Sequence, residues 1–299
     1  MRVDPNYLAS LATSIDQSSS NEIALTTELS SGLRVTSLQA DPVAAAQSSI
    51  LGSAIARDDT YVQGATGIQS MLQVTDSALA EVVTQITKAI SLAVQGGNGT
   101  LSGTNAGSIG QQVSDLRSQI LSLANTTYQG NYLFGGSQGA SKPFALDTTT
   151  TPATVTYSGD TSVGSITTPS GQNIQTSVPG IAVFGDAATG VFAALNKLVA
   201  DYASGTASAN ASSDTSALTN ALTQVSTQRS ILDSSLSRIQ STSTYFQTDA
   251  SQLTAQQSTL VASDPATVAT ALKSAETQHQ ALLSVMNALG SVNLFSYLK

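Results

Sequence analysis

One apolar stripe runs through the last third of this chain with a regularity that few folds accommodate. From Leu218 to Leu260 the chain advances in alternating steps of four and three residues, and ten of the thirteen positions reached are apolar. A mean period of 3.5 residues puts these side chains on one narrow seam of a helix, where they face a partner helix. At 1.5 Å per residue the seam is roughly 64 Å long, so we predict a rod-like coiled coil. The thirteen positions are Leu218, Leu222, Val225, Arg229, Leu232, Leu236, Ile239, Ser243, Phe246, Ala250, Leu253, Gln257 and Leu260.

Two similar interruptions separate the chain ends from the middle. At each one an Asp that can cap a helix precedes a Pro, which is tolerated at the first helical position because an N–H there has no helical partner. Before the first interruption a Gly can adopt the left-handed conformation that closes a helix, and an Arg follows where the helix dipole favours positive charge. Residues 33–40 are therefore predicted to connect two helices. The residues of these breaks are Gly32, Arg34, Asp41, Pro42, Asp264 and Pro265.

The two ends outside these breaks carry amphipathic stripes of their own. They contain 40 and 36 residues, lengths that allow two terminal helices to lie antiparallel beside each other. The stripes could form ordinary core within one chain. However, two lone helices held by connectors have little else to bury, so we predict that they assemble with neighbouring copies. The predicted assembly residues are Leu8, Leu11, Ile15, Leu25, Leu29, Val268, Leu272, Leu282, Met286 and Leu289.

The remaining patterns complete a fold prediction. Helical seams continue after Pro42 and through Val113 to Leu123, whereas residues 136–185 are rich in Thr, Gly, Pro and Val with short alternating stretches. We predict a mainly α fold: an elongated antiparallel helical bundle or coiled coil built from both chain ends, with a small β-rich inserted domain. The predicted domains are residues 1–40 with 264–299, residues 41–135 with 186–263, and the β-rich insertion at 136–185.

Composition excludes several classes of function. A net charge of −8 leaves no basic face for nucleic acid or for an anionic membrane. The chain has no Cys and one His, so neither a metal site, a cofactor site nor a catalytic site is predicted. That single histidine, His279, occupies a seam position, where we expect a polar residue to help set the register of the helix. With 40% hydrophobic and 5% aromatic residues, we expect thin helix seams rather than a thick core. Neither a membrane span nor a cleaved signal peptide is visible.

Several motifs resemble those of the bacterial flagellin superfamily. Near the start they are LSSGLR at 29–34, ADPVA at 40–44, GIQS at 67–70, TDSALAEV at 75–82 and GNGT at 97–100. Near the end they are residues 263–281 and NLFSYL at 293–298. The resemblance covers roughly residues 5–135 and 215–299. Within the superfamily, YQGNYLFGG at 128–136 and VTYSGD at 155–160 resemble the hook-associated branch more than the filament flagellins.

The resemblance implies a structural role without catalysis. A member of this branch forms a homo-oligomeric ring in the extracellular flagellum, with another hook-associated protein on the hook side and flagellin on the filament side. It also implies type III export in an unfolded state and an export chaperone that binds near the C-terminal helix. A minor flagellin that forms filament is the alternative. An enzyme in the β insertion is a remote one, since residues 136–185 contain no His, Cys, Glu or Arg.

Overall fold

A computed structural model describes residues 5–35, 39, 41–97, 103–150, 153–186, 188–203 and 210–291. The parts of the quoted motifs at 40, 98–100 and 293–298, and residues 36–38 of the predicted connector, lie outside the described residues. The helices are α1 (Pro5–Ser31), α2 (Pro42–Gly96), α3 (Gly103–Ala124), α4 (Gly180–Phe184), α5 (Val191–Ala203), α6 (Ala211–Val261) and α7 (Pro265–Ser291). The strands are β1 (Thr127–Tyr128), β2 (Asn131–Tyr132), β3 (Phe144–Asp147), β4 (Thr154–Tyr157), β5 (Ser165–Thr167) and β6 (Asn173–Gln175). The prediction of a mainly helical fold built from both chain ends, with a small β-rich insertion, is confirmed.

Contacts divide the chain into two compact units. The terminal unit comprises Met1–Ala56 and Asp249–Lys299, and the central unit comprises Arg57–Thr248. Both boundaries lie inside long helices, the first in α2 and the second in α6.

In the terminal unit, α1 packs against α7. The end of α1 and the beginning of α7 are held together because Leu33 and Ala262 form an antiparallel bridge. The amide of Ser263 donates to the carbonyl of Gly32 at 3.0 Å beside it. Since the last turn of one helix lies next to the first turn of the other, the two helices run antiparallel.

The helix breaks in this unit have the local causes that the sequence indicates. Gly32 has a φ of +70° and closes α1 in the left-handed conformation. Asp41 accepts a hydrogen bond from the amide of Ala44 at 3.0 Å, and Asp264 accepts one from the amide of Ala266 at 3.0 Å. Helices α2 and α7 then begin with Pro, as predicted.

The partner of the long α6 seam is α2. In the central unit, Leu218, Val225, Leu232, Ile239 and Phe246 are the deeply buried members of the seam, one every seven residues. The ring of Phe246 meets the ring of Tyr61 on α2 edge-on, with centroids 5.3 Å apart.

Polar members of the same seam are paired across to α2. In the central unit Arg229 Nη2 donates to Asp76 Oδ2 at 3.1 Å. In the terminal unit Gln257 Nε2 donates to the carbonyl of Ser48 at 2.9 Å. Two of the three polar breaks in the apolar rhythm, Arg229 and Gln257, therefore have partners on α2 that help to fix the register of the two helices.

The central unit also has a thicker core than the aromatic content led us to expect. Five of its rings gather in one cluster, with neighbouring centroids 4.9–5.7 Å apart. Such a cluster adds edge-to-face attraction to the burial of large apolar area. The expectation of thin seams alone is therefore wrong for this unit. The cluster consists of Phe134, Phe144, Tyr157, Phe184 and Phe192.

Three antiparallel two-stranded hairpins, β1–β2, β3–β4 and β5–β6, form the β structure described. Phe144 pairs with Tyr157 in the second hairpin, and Ser165 pairs with Gln175 in the third. The first hairpin lies at residues 127–132, before the segment in which the sequence pattern indicated strands. Its turn contains Gln129 and Gly130, both with positive φ.

Hydroxyl side chains on the long helices bond back to the helix that carries them. Along α6, Thr219 donates to the carbonyl of Thr215, Thr223 to that of Thr219, and Thr227 to that of Thr223, at 2.7–2.9 Å. This pattern satisfies polar side chains without a second element.

One window of α2 is long and apolar enough to cross a membrane by length and composition, with a mean hydropathy of 1.2. The buried residues Leu72, Leu79, Val82 and Ile86 of the same helix belong to the protein core.

Candidate assembly surface

The terminal helices bury one side of their stripes against each other. Leu11 on α1 and Val268 and Ala275 on α7 are buried, with exposed fractions of 8%, 6% and 4%. These three residues are the apolar side chains of α1 and α7 that are buried within one chain. The half-buried stripe residues are Ile15, Leu25, Leu272, Leu282 and Leu289.

Other predicted assembly residues remain accessible in the single chain. Leu29 and Met286 are 38% and 45% exposed. Leu8 lies in α1, and its side chain is outside the part of the chain that the structure describes. The stripes thus divide into residues that hold α1 to α7 and residues that remain uncovered.

Uncovered apolar side chains are concentrated in the terminal unit. It holds nine of the fourteen large apolar side chains that are exposed among the described residues, although it is the smaller unit. A soluble monomer rarely leaves so much apolar surface in one region unless that surface meets a partner. The nine residues are Tyr7, Ile23, Leu29, Leu33, Val43, Ile50, Leu283, Val285 and Met286.

Seven of these nine residues were not among the predicted assembly residues, and two of the seven lie on α2. Val43 and Ile50 on α2 are 66% and 70% exposed, and their spacing of seven residues places them on one face. The sequence shows this spacing, but the Ala-rich run after Pro42 does not extend it into a longer apolar stripe. No assembly face was therefore predicted there.

Two polar atoms of the α1–α7 pair are buried without a hydrogen-bond partner within the described residues. They are Oε1 of Glu22 and Nδ1 of His279. Buried polar groups are normally satisfied, so the single chain leaves hydrogen-bonding capacity unused at this surface. His279 is half-buried on α7.

Arg34 joins the connector that follows α1 to the end of α6. Its Nη2 atom donates to the carbonyl of Leu260 at 3.0 Å and to Asp41 Oδ2 at 3.3 Å, while its amide donates to the carbonyl of Val261 at 2.7 Å. We expected a helix-dipole role for this residue, and the structure shows a direct link to the end of α6. Sequence alone gives no signal for it, because the acceptor is 226 residues away.

The electrostatics of the breaks follow from capping. The hydrogen bond from the amide of Ala44, assisted by Arg34, lowers the pKa of Asp41. The Thr267 hydroxyl and the Ala266 amide lower the pKa of Asp264. Both carboxylates therefore stay ionised as caps well below neutral pH. Within the described residues, no group of three or more His, Cys, Asp or Glu side chains is arranged to hold a metal ion.

Two family models match this chain. The model of the bacterial flagellin N-terminal helical region matches residues 6–139, and that of the bacterial flagellin C-terminal helical region matches residues 215–298. Together they cover more than two thirds of the chain.

Named relatives are similar over the first part of the chain. Flagellar hook-associated protein 3 of Salmonella typhimurium (strain LT2) is 34% identical over 131 residues, which are 44% of this chain and 41% of that protein. The protein of the same name from Escherichia coli (strain K12) is 35% identical over 119 residues, 40% of this chain and 38% of that one. The matched region thus spans less than half the length of either relative.

A solved structure shares the fold. The flagellar junction protein FlgL from Legionella pneumophila matches with a TM-score of 0.60, covering 73% of this chain and 100% of that chain. Its sequence identity of 13% makes this a likeness of fold.

Proposed function

Because this chain belongs to the bacterial flagellin family, we propose that it is a structural adaptor of the flagellum that joins the hook-side ring to the flagellin filament. The observation that carries the proposal is the set of apolar side chains left exposed on the terminal unit of a chain with this family's terminal regions. The names of the relatives, hook-associated protein 3 and junction protein, support the junction rather than the filament itself.

Assembly would proceed through the terminal helices. The helix α1 first pairs with α7, and the accessible residues then pack against neighbours in a tube. Each Å² of apolar surface removed from water contributes about 25 cal/mol. Assembly therefore adds stabilisation that one copy lacks. We propose that the interface with neighbouring copies includes Leu8, Ile15, Leu25, Leu29, Leu272, Leu282, Met286 and Leu289, whereas Leu11 and Val268 are buried within one chain and support the terminal helices from inside.

The partners follow from this position in the organelle. We propose a homo-oligomeric ring, in contact with another hook-associated protein on one side and with flagellin on the other. The protein would be exported to the extracellular flagellum, guided by a chaperone that binds near α7. Neither catalysis nor nucleic acid has a part in this proposal, and the protein would not insert into a membrane.

A minor flagellin is the second candidate, since the flagellin models match both ends of the chain. The two functions differ in what the purified chain does alone. A filament-forming flagellin polymerises into long filaments, whereas an adaptor stops at short assemblies.

Deletion of the encoding gene tests the adaptor function directly. We expect electron microscopy to reveal hooks that lack filaments, with flagellin released into the medium, and we expect the wild-type gene to restore filaments. Normal filaments on the deletion strain would refute the proposal.

A further inference from the structure

Arg117 on α3 is a cation enclosed in the core of the central unit. Only 6% of the residue is exposed. Val113 and Ile120 share its face of the helix, since they lie four residues before it and three after it, and both are fully buried. Helix α3 packs on α5, where Phe192 is 1% exposed. The guanidinium is therefore placed in a largely apolar part of the protein.

The charge of Arg117 has no anionic partner. No carboxylate of the described residues forms an ion pair with it. Its Nη1 atom donates to two neutral acceptors, the carbonyl of Ala153 at 2.8 Å and Asn196 Oδ1 at 2.9 Å. Burial alone lowers the pKa of the guanidinium, yet an arginine keeps its proton at neutral pH. The buried charge therefore persists, and it is costly unless an anion offsets it.

Two buried nitrogen atoms at this contact have no hydrogen-bond partner among the described residues. They are Nε of Arg117 and Nδ2 of Asn196, and each is two covalent bonds from an atom of the 2.9 Å contact. Both atoms can only donate. A buried water could accept from them, but its own protons would then need acceptors and it brings no charge. An anion accepts hydrogen bonds, donates none and neutralises the cation.

We propose that the buried guanidinium of Arg117 binds a small inorganic anion of the halide class, chloride, at its Nε atom, with the amide of Asn196 as a further donor of the site. The ion is small because both residues are more than nine-tenths buried. Arg117 already joins α3 to α5 and to the residue before β4, so anion binding stabilises the place where the helices meet the β insertion. The inference goes beyond the adaptor function and does not depend on it.

The dependence of stability on chloride tests the site in solution. Urea unfolding of the purified chain is measured while chloride replaces gluconate, from about 5 to about 500 mM, at constant ionic strength so that screening stays fixed. Gluconate is the reference anion because it is too bulky for a buried site. An anion that binds only the folded chain stabilises it, and a Kd of about 50 mM or tighter lowers the unfolding constant at least about tenfold over this range.

Three variants assign the effect to Arg117. Arg117→Met removes the cation, so its unfolding constant should not depend on chloride. Asn196→Asp supplies a carboxylate of the chain's own beside the guanidinium, so it too should lose the dependence, and it keeps the test decisive should Arg117→Met impair folding. Lys142→Met is the matched control, because Lys142 is an exposed cation of the same unit, and it should keep the full change.

Bromide locates the ion directly. In wild-type crystals grown from sodium bromide, we expect an anomalous scattering peak beside Nε of Arg117. Equal unfolding constants in chloride and gluconate would overturn the inference, as would a chloride dependence that Arg117→Met or Asn196→Asp retains in full. A position beside Nε that holds water and gives no anomalous signal in bromide would also reject the anion. These results leave the adaptor function untouched, since gene deletion tests that function separately.

Discussion

The guanidinium of Arg34 lies 3.3 Å from the carboxylate of Asp41, and the two residues hold both connectors of the terminal unit together. Asp41 uses its other oxygen to cap α2 at the amide of Ala44. Arg34 uses its Nη2 atom to reach the carbonyl of Leu260 at the end of α6. One ion pair therefore links the end of α1, the start of α2 and the end of α6.

Replacing Arg34 with Ala should loosen this joint without unfolding the protein. The side chains of the pair are 50% and 30% exposed, and exposed pairs contribute about 0–1 kcal/mol, so we expect a small change in global stability. We expect faster hydrogen exchange at the amides of Arg34 and Ser263, which form the bridge between connectors. Arg34→Lys is the control, since it keeps the charge but loses the two-pronged geometry. Unchanged exchange in Arg34→Ala would contradict a joint held by this side chain.

Gly96→Ala should destabilise the central unit. A Cβ atom at this position of α2 would lie 2.0 Å from the hydroxyl oxygen of Tyr202, which is almost fully buried on α5. Overpacking of this kind costs about 1–3 kcal/mol. Gly64→Ala in the same helix is the matched control, since nothing lies within 4 Å of its Cβ position and we expect a gain of about 0.5–1 kcal/mol. Urea unfolding of both variants measures the difference, and equal stabilities would rule out the close approach.

Asn196→Ala should destabilise more than Arg117→Met. The Nη1 atom of Arg117 donates to Asn196 Oδ1 at 2.9 Å in a buried site, where burial lowers the pKa of the guanidinium. Removing the amide leaves a buried cation with one acceptor fewer, at about 1–3 kcal/mol, whereas an apolar side chain removes the cation itself. Thermal unfolding of the single and double variants tests this. A double variant as unstable as the sum of the singles would show that the two side chains are not coupled.

Asp160 should give the protein a stability that depends on pH in the acid range. Hydrogen bonds from Ser137, and from the amide of Ser162, lower its pKa from 3.8 to about 2. A depressed carboxyl pKa stabilises the folded state above the unfolded value and loses that effect as pH falls through the folded value. The stability difference between wild type and Asp160→Asn should therefore be largest above pH 4 and shrink towards pH 2. Denaturant midpoints measured from pH 2 to 6 would reveal it, and a constant difference would exclude the ionised contact.

The terminal unit should separate folding from assembly. Ile23 is 65% exposed, so Ile23→Gln should change the free energy of unfolding by less than about 0.5 kcal/mol while reducing incorporation into flagella. Leu11→Ala should destabilise the terminal unit by about 2–3 kcal/mol because Leu11 is buried within the single chain. Melting curves of the purified chains, beside immunoblots of isolated flagella, compare the two effects. Full incorporation of Ile23→Gln would show that the exposed side of α1 at Ile23 takes no part in assembly.

Features with a local cause could be predicted from the sequence. The left-handed Gly32 and the capped starts of α2 and α7 each depend on residues within four positions of one another. The α6 seam could also be predicted, because its period is repeated many times. These signals fixed where the helices begin and end.

Features that depend on distant residues could not be predicted in this way. The bond from Arg34 to Leu260 and the pairing of Arg229 with Asp76 join residues more than 150 positions apart. The β1–β2 hairpin was missed for a different reason, since strands of two residues are too short to show an alternating pattern. The composition states how many aromatic residues the chain has, but it does not predict that five of them gather in one cluster.

The threonines that bond back along α6 give that helix exposed positions that carry no charge. Their hydroxyl protons already donate hydrogen bonds within the helix. A neighbouring chain that moved by one helical turn along this surface would therefore break no hydrogen bond to these hydroxyls. The large side chains that protrude from the helix would then determine how the neighbouring chain aligns with it. In the adaptor that we propose, such a surface would allow neighbouring copies to shift slightly against one another.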